Sequence, residues 1–191
     1  MTTYQIALLI HLLALLAATA ASAIIHLAAG RRGAAPTLRQ SMEWARLMGK
    51  TARVFPFAVL TLIATGGYMV RGHWNWGLGW VQAGLLGALL LLVSGAVVGA
   101  REGRGARANV ARMQQAGREL HNDFRPDRVS ALLGEANTGL ALAIVVAMSL
   151  KPGFAASVAL LAAGWALGAY RALKHFRAGA SAAKKPEAEA A

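Results

Sequence analysis

The chain has no cysteine, only 8 acidic residues and only 15% charged residues among its 191 positions. The absence of cysteine excludes disulfides, thiolate nucleophiles, iron–sulfur clusters and thiolate zinc sites. An ordinary soluble domain carries about 25% charged residues, so this chain has too few to cover a soluble protein of its size. The sequence also contains no nucleophile elbow, no paired zinc-ligand motif and no phosphate-binding loop, which argues against a cofactor-free enzyme.

What the chain has instead is long apolar runs, with 57% hydrophobic residues overall. The runs predict five membrane-spanning helices over residues 5–29, 54–70, 77–100, 129–150 and 154–172. Each is long enough to cross a hydrocarbon core of about 30 Å. The break at Lys151, Pro152 and Gly153 separates the last two. The sequence therefore predicts an all-α integral membrane bundle in one domain, residues 1–178, with a disordered cytoplasmic tail over residues 179–191.

The net charge of +12 is distributed unevenly along the chain. Of the 20 Lys and Arg residues, 18 follow the first, third and fifth spans, and only Arg71 and Lys151 lie in the other two connections. Cytoplasmic loops of membrane proteins carry an excess of Lys and Arg, so we expect the N-terminus outside and the C-terminus in the cytoplasm. This placement explains the charge without nucleic acid, and the expected partners are the bilayer and its anionic headgroups.

Two connections have amphipathic character. Thr37 and Gln40 have the spacing of a capping box and begin a short helix that leads into the second span. In the third connection, Val110 and Met113 belong to an apolar stripe opposite several arginines. We expect that segment to lie along the inner membrane surface with its arginines on anionic headgroups, the alternative being docking of a membrane protein partner.

Small residues four positions apart occur in two spans. They are Gly95 with Gly99 and Gly164 with Gly168. This pattern allows two helix backbones to approach closely in lipid. We expect it to serve packing within the bundle, the alternative being contact between copies of a homo-oligomer.

Three histidines are candidate ligands of haem b or copper. His11 and His26 are 15 residues apart in the first span, which places them about 60° apart around the helix and about 22 Å apart along it. Such a helix could ligate one haem in each leaflet, with His73 as a candidate partner at a helix end. For copper, the candidate set near the outer surface is His11, Met69 and His73.

The remaining polar candidates are Glu135, Asn137, Gln82 and Tyr68, which we expect to be buried in the bundle. Ionisable residues within a membrane are costly and indicate function by default. Glu135 could carry a proton or pair with His26. Alternatively, Glu135 and Asn137 could lock the bundle through hydrogen bonds.

Three features occur together in the first half of the chain. They are a histidine early in the first span, Thr65-Gly66 in the second span and Trp80 at the start of the third. In these features the segment from Ile6 to Arg101 resembles the bacterial copper-resistance D family and the protoporphyrinogen-oxidase-like family. The resemblance implies a helical bundle with haem or copper near His11. The position of a lysine in the haem-binding family corresponds to Gly84 here, so the oxidase reaction is not implied.

These observations predict a multi-pass protein of a bacterial inner membrane and leave three functions open. The first is a non-enzymatic structural or accessory component. The second is a haem- or copper-binding redox or metal-handling protein that uses His11. The third is a proton-coupled transporter subunit that uses Glu135, which would require oligomerisation because five spans without a repeat make a small transporter.

Overall fold

The structure is a computed structural model that describes residues 2–116 and 119–189, with side chains as far as Phe176. The described residues form helices and no β-strand, which confirms the all-α class. The helices are α1 (Thr3–Ala34), α2 (Leu38–Ala52), α3 (Val54–His73), α4 (Gly79–Ala116), α5 (Arg128–Leu150) and α6 (Phe154–Glu189).

Among the described residues, five helical segments are long and apolar enough to cross a membrane. In this count α2 and α3 form a single segment, from Leu38 to His73. They expose large hydrophobic side chains around the bundle, among them Phe57, Leu142 and Leu167. A soluble protein rarely exposes such extended apolar surface, whereas lipid covers it without cost. The fold therefore matches the predicted five-span bundle. The tail over residues 179–191 falls on the end of α6 without described side chains and on residues outside the description, so its disorder stays a prediction.

Helix α1 packs against α2 and α3 and buries a face of small residues, which we call the seam. Its buried positions Ala7, Ala21 and Ala28 are separated by multiples of seven, the spacing that keeps one face of a helix against its neighbours. The helix begins at a capping box, in which the Thr2 hydroxyl accepts from the Gln5 backbone N–H and the Gln5 side chain accepts from the Thr2 N–H.

Helices α5 and α6 form the closest crossing in the described chain. A Cβ atom added at Gly164 would lie 2.6 Å from the Gly139 carbonyl oxygen, and one added at Gly139 would overlap the Gly164 carbonyl. A Cβ added at Gly168 would overlap the Glu135 carbonyl. Because only glycine fits at these three points, the Gly164–Gly168 pattern serves packing within the bundle, as predicted. The turn between the two helices contains Lys151 at φ 52°, the left-handed conformation that ends α5 at the predicted break.

Only some of the glycines of α4 pack against a neighbouring helix in the described chain. Gly84 and Gly87 lie against Met148 and Ile144 of α5, and Gly79 lies against the start of α6. A Cβ at Gly95 or Gly99 would meet no atom within 4 Å among the described residues. The second small-residue pattern is thus unused in the described chain, contrary to the expectation that both patterns pack within it.

The bundle has two chemically different ends. At one end, which we call the aromatic end, Trp74 packs edge-on against Trp80 and both lie near the Lys151 ammonium. At the other end, which we call the basic end, Arg32 of α1 meets Glu102 of α4, and Arg101 meets Asp127 just before α5. The connections that follow α1 and α4 therefore lie together, as the alternation of spans requires.

The third connection differs from its prediction. Residues 101–116 continue α4 without a break, so that α4 has 38 residues and a length of about 57 Å. Their apolar side chains, Val110 and Met113, line a cavity shared with Met42 of α2. The apolar stripe is therefore turned towards a neighbouring helix, because α2 offers it an apolar face of its own, and the segment is not a separate helix on the membrane surface.

Candidate functional site: a protonatable pair between α1 and α5

The imidazole of His26 reaches from α1 to α5, where it meets Thr138 and Glu135. Its Nε2 lies 3.2 Å from the Thr138 hydroxyl oxygen. That hydroxyl donates its single hydrogen to the Gly134 carbonyl at 3.1 Å, as threonines in helices often do. The same hydroxyl can rotate and donate to a bare Nε2, so this contact fits either neutral tautomer of His26.

The second imidazole nitrogen faces the carboxyl group of Glu135. Nδ1 of His26 lies 3.5 Å from Oε1 of Glu135. A hydrogen on Nδ1 points at the carboxyl oxygen, and a hydrogen on the carboxyl group points at a bare Nδ1. The two groups are thus placed so that a proton on either one faces the other.

The pair is open on one side. The His26 side chain is 44% exposed and that of Glu135 is 25% exposed. Helix α1 otherwise packs mainly against α2 and α3, while α5 packs mainly against α4 and α6. His26 therefore connects α1 with α5, two helices that otherwise pack mainly against different neighbours.

The other polar candidates separate into two sets. Asn137 is half-buried, and its Oδ1 accepts from the Ser94 hydroxyl at 2.8 Å, which ties α5 to α4. Tyr68 and Gln82 are exposed on the surface of the bundle, so the prediction that they are buried is wrong. Both lie close to the aromatic end, where a long polar side chain can extend away from the core.

His11 occupies a separate polar site between α1 and α3. Its Nδ1 lies 2.9 Å from the Thr65 hydroxyl, which donates to the Thr61 carbonyl at 2.6 Å. With its hydrogen committed to that carbonyl, the Thr65 hydroxyl accepts from Nδ1 of His11. Gly66 lies beside the ring, where an added Cβ would be 3.6 Å from Cε1. Thr65 thus positions His11, whereas a Cβ at Gly66 would make only an ordinary contact with the ring.

The structure does not bring the proposed copper ligands together. His73 stacks against Tyr4, with ring centroids 4.3 Å apart, at the start of α1. Tyr4 precedes His11 by seven residues, or about 10 Å along the helix, so His73 is too far away to share an ion with His11. The described residues contain no group of three His, Asp or Glu side chains that could hold a metal ion. Met69 lies on α3 between the levels of His11 and His73, and the copper set His11, Met69 and His73 is not assembled.

The haem arrangement is likewise not assembled in the described chain. His26 is occupied on both nitrogens by Thr138 and Glu135, and the partner of His11 is a threonine. A bis-histidine site needs two imidazoles facing each other across one level of the bundle. Haem or copper binding at His11 therefore stays a prediction.

One buried charge was missed by sequence reasoning. Arg32 is 3% exposed, donates to Glu102 at 2.7 Å and lies with its guanidinium carbon 3.8 Å from the ring centre of Phe124. The Asn122 side chain donates to the Arg32 carbonyl and so closes the end of α1. Arg32 is four residues after the seam position Ala28, and that spacing was the available signal that it faces inward.

Asp127 holds the beginning of α5 at the basic end. Its carboxylate accepts from Arg101 at 2.7 and 2.9 Å and from the Ser130 backbone N–H at 3.0 Å. The hydrogen bonds from Arg101 and then Ser130 hold the pKa of Asp127 well below its usual range. The carboxylate is therefore at once a helix cap and an ion-pair partner, which ties α4 to α5.

Comparison of the chain with family models, with curated proteins and with solved structures finds no match. The class of protein is therefore defined by the fold alone: in its described part the chain is all-helical, with five helices long and apolar enough to cross a membrane.

Proposed function

We propose that this chain is a proton-coupled component of a membrane, in which His26 and Glu135 bind and release one proton. The observation that carries the proposal is the 3.5 Å approach of His26 Nδ1 to Glu135 Oε1, with Nε2 of the same ring engaged by Thr138. Ionisable residues within a membrane span are costly and rare, and they commonly belong to proton relays.

The placement in the membrane follows from charge. We place the basic end in the cytoplasm and the aromatic end outside, in a bacterial inner membrane, with the N-terminus outside and the C-terminus inside. The support is the concentration of Lys and Arg after the first, third and fifth spans, together with Trp74 and Trp80 at the opposite end. On this placement the proton site lies closer to the cytoplasmic face.

The absence of cysteine makes this placement easy to test. Single variants Thr3→Cys and Gly105→Cys are labelled in intact cells with a membrane-impermeant maleimide. We expect labelling of the first and protection of the second until the cells are opened. The reverse pattern would overturn the orientation, and labelling of both would overturn the assignment of membrane spans.

Of the three functions that the sequence left open, the contacts favour the transporter subunit that uses Glu135. A proton that binds at the bridge between α1 and α5 changes the charge at the contact of two helix groups. Coupled transport needs such a link between protonation and helix arrangement. An accessory role without proton chemistry, and haem or copper handling at His11, stay predictions.

The experiment is infrared difference spectroscopy of the purified protein in lipid during a pH step. We expect a carboxylic-acid C=O band that changes with pH, is lost in Glu135→Gln and is retained in Glu119→Gln, a matched change at an exposed position. His26→Gln should alter the same band because it removes the second proton acceptor. A spectrum unchanged by Glu135→Gln would refute the proposal. Proton flux into vesicles that is lost in Glu135→Gln would extend it from a binding site to transport.

A further inference from the structure

A short segment between α4 and α5, which we call the strap (Leu120–Phe124), crosses the turn that joins α1 to α2. The Leu38 backbone N–H donates to the Leu120 carbonyl at 2.8 Å, and the Asn122 backbone N–H donates to the Pro36 carbonyl at 3.2 Å. These two bonds enclose an isolated antiparallel bridge. The backbone of the strap is therefore hydrogen-bonded to the turn at the end of α1.

The side chain of Asn122 ties the strap to the last turn of α1. Its amide nitrogen donates to the Arg32 carbonyl at 3.0 Å and to the Ala35 carbonyl at 2.8 Å. The last carbonyls of a helix have no partner inside it, so both amide hydrogens satisfy acceptors that α1 leaves open. Oδ1 of Asn122 accepts from the Phe124 backbone N–H at 3.2 Å, which holds the amide in this orientation. These bonds set the position of the end of α1 along its axis.

The Arg32 side chain fixes the rotation of the same helix end. Its buried guanidinium donates to Glu102 of α4 at 2.7 Å and lies 3.8 Å from the ring centre of Phe124. Nε of Arg32 has no hydrogen-bond partner among the described residues, so these two contacts hold the group. A rotation of α1 about its axis would pull a buried cation away from its carboxylate, which is costly.

The His26–Glu135 pair needs such a constraint. His26 precedes Arg32 by six residues, or about 9 Å along α1. The two helices that carry the pair pack mainly against other helices, α1 against α2 and α3, and α5 against α4 and α6. An imidazole about 6 Å from the helix axis moves about 2 Å when the helix turns by about 20°. A displacement of that size decides whether Nδ1 of His26, 3.5 Å from Oε1 of Glu135, meets the carboxyl group.

We propose that the strap positions the proton site: Asn122 and Phe124 hold the end of α1 so that His26 meets Glu135. Apart from those of His26, the polar contacts described between α1 and the region from α4 to α5 are made by Arg32 and Ala35. Asn122 and Phe124 act through α1 and do not bind the proton, so they are positioning residues. The inference rests on the proposed function and adds a segment outside the predicted spans that sets its geometry.

The test uses the full chain in lipid and follows the carboxylic-acid band of Glu135 during a pH titration. His26→Gln should shift the pH midpoint of that band, and the size of the shift measures the coupling between the two side chains. In the Asn122→Ala background we expect this shift to fall to about half or less. A change in stability alone does not alter this coupling, so the measurement separates positioning from a merely structural role.

Asn109→Ala is the matched control. It makes the same chemical change on α4, at a side chain that forms no hydrogen bond among the described residues, and should leave the His26→Gln shift as in the native chain. Phe124→Leu is a second test variant. It keeps an apolar side chain and removes the aromatic face against Arg32, so the shift should fall here too. Thermal unfolding of each variant checks that it is folded, and Phe124→Leu decides if Asn122→Ala is not.

The distance between α1 and α5 gives an independent measurement. Spin labels at Leu27→Cys and Val146→Cys occupy exposed positions on the two helices, in a chain without native cysteine. We expect a broader distribution of distances between the labels in Asn122→Ala than in the native chain or in Asn109→Ala.

Two failures of these experiments are distinguishable. A His26→Gln shift that is unchanged in the folded strap variants would overturn the inference, whatever the label distances, and would leave the proton site in place. Absence of a Glu135 band in the native chain would refute the proposed function, and the positioning role of the strap with it.

Discussion

Two stretches of this chain share a sequence pattern and differ completely in environment. Gly164 and Gly168 of α6 lie against the backbone of α5 so closely that no side chain fits. Gly95 and Gly99 of α4 meet no atom within 4 Å among the described residues. The pattern of small residues permits a second helix to approach closely on one face of the helix. Which neighbour, if any, makes that approach depends on how the helices are arranged.

The largest expected effect comes from filling the packed face. Gly164→Ala places a Cβ against the Gly139 carbonyl and Ala143, so the helices must separate along the crossing. We expect a loss of about 3 kcal/mol in the free energy of unfolding, measured by denaturant titration in detergent micelles. A variant as stable as the native chain would show that α5 and α6 do not cross at these glycines.

Charges at the basic end offer the same contrast between a packed and an open site. Arg32→Gln removes the partner of Glu102 and the contact with Phe124 in a site that is almost fully buried. We expect a loss of about 2 kcal/mol, reduced from the cost of a wholly buried pair because Glu102 is partly exposed. Arg112→Gln breaks a pair with equal N–O distance on the surface and should leave the unfolding midpoint nearly unchanged. Equal losses of stability in the two variants would show that burial of the ion pair makes no difference.

Filling the open face should have a smaller effect of the opposite sign. Gly95→Ala introduces a Cβ that contacts nothing in the described chain and raises helix propensity, so we expect a gain of up to about 1 kcal/mol. The measurement is the same denaturant titration, at a protein concentration low enough to keep monomers. A loss that appears only at high concentration would instead place a second copy of the chain on this face.

The smallest effect is expected at the surface cap of α5, and it depends on pH. Asp127 has a pKa well below its usual range in the folded chain, so its charged form contributes stability above the ordinary aspartate pKa of about 4. That contribution is lost as pH falls through the lowered pKa. Asp127→Asn keeps the cap and removes the charge. We expect it to be less stable than the native chain at neutral pH and equally stable in strong acid, as judged by thermal unfolding. A difference that does not change with pH would mean that the ion pair with Arg101 adds nothing.

Much of the fold could be predicted from the chain because the signals are local. Five apolar runs, the capping residues at Thr37 and the break at Lys151 each act within a few residues of where they occur. The end of α4 could not be predicted in the same way. Its arginines suggested a helix on the membrane surface, and only the apolar face of α2 decides that residues 101–116 continue straight and pack there.

The candidate site could likewise be predicted only where its signals are local in sequence. Glu135 was evident from the chain because a carboxylate inside an apolar run is rare, and pairing with His26 was one of its predicted roles. The contact of His26 with Thr138 was not evident, because the two residues are 112 positions apart in sequence. Nor was the separation of His73 from His11, since it depends on how far α3 is shifted along α1.

By itself, the sequence determined that this is a chain of apolar helices with one basic and one aromatic end, because hydropathy and charge act on each segment separately. The tertiary structure alone decided three things: that one glycine pair is packed and the other open, that His26 meets Glu135, and that Arg32 is buried against Glu102 and Phe124. Each of these depends on the register and rotation of one helix against another. That register is set by the summed packing of many small residues rather than by any single residue.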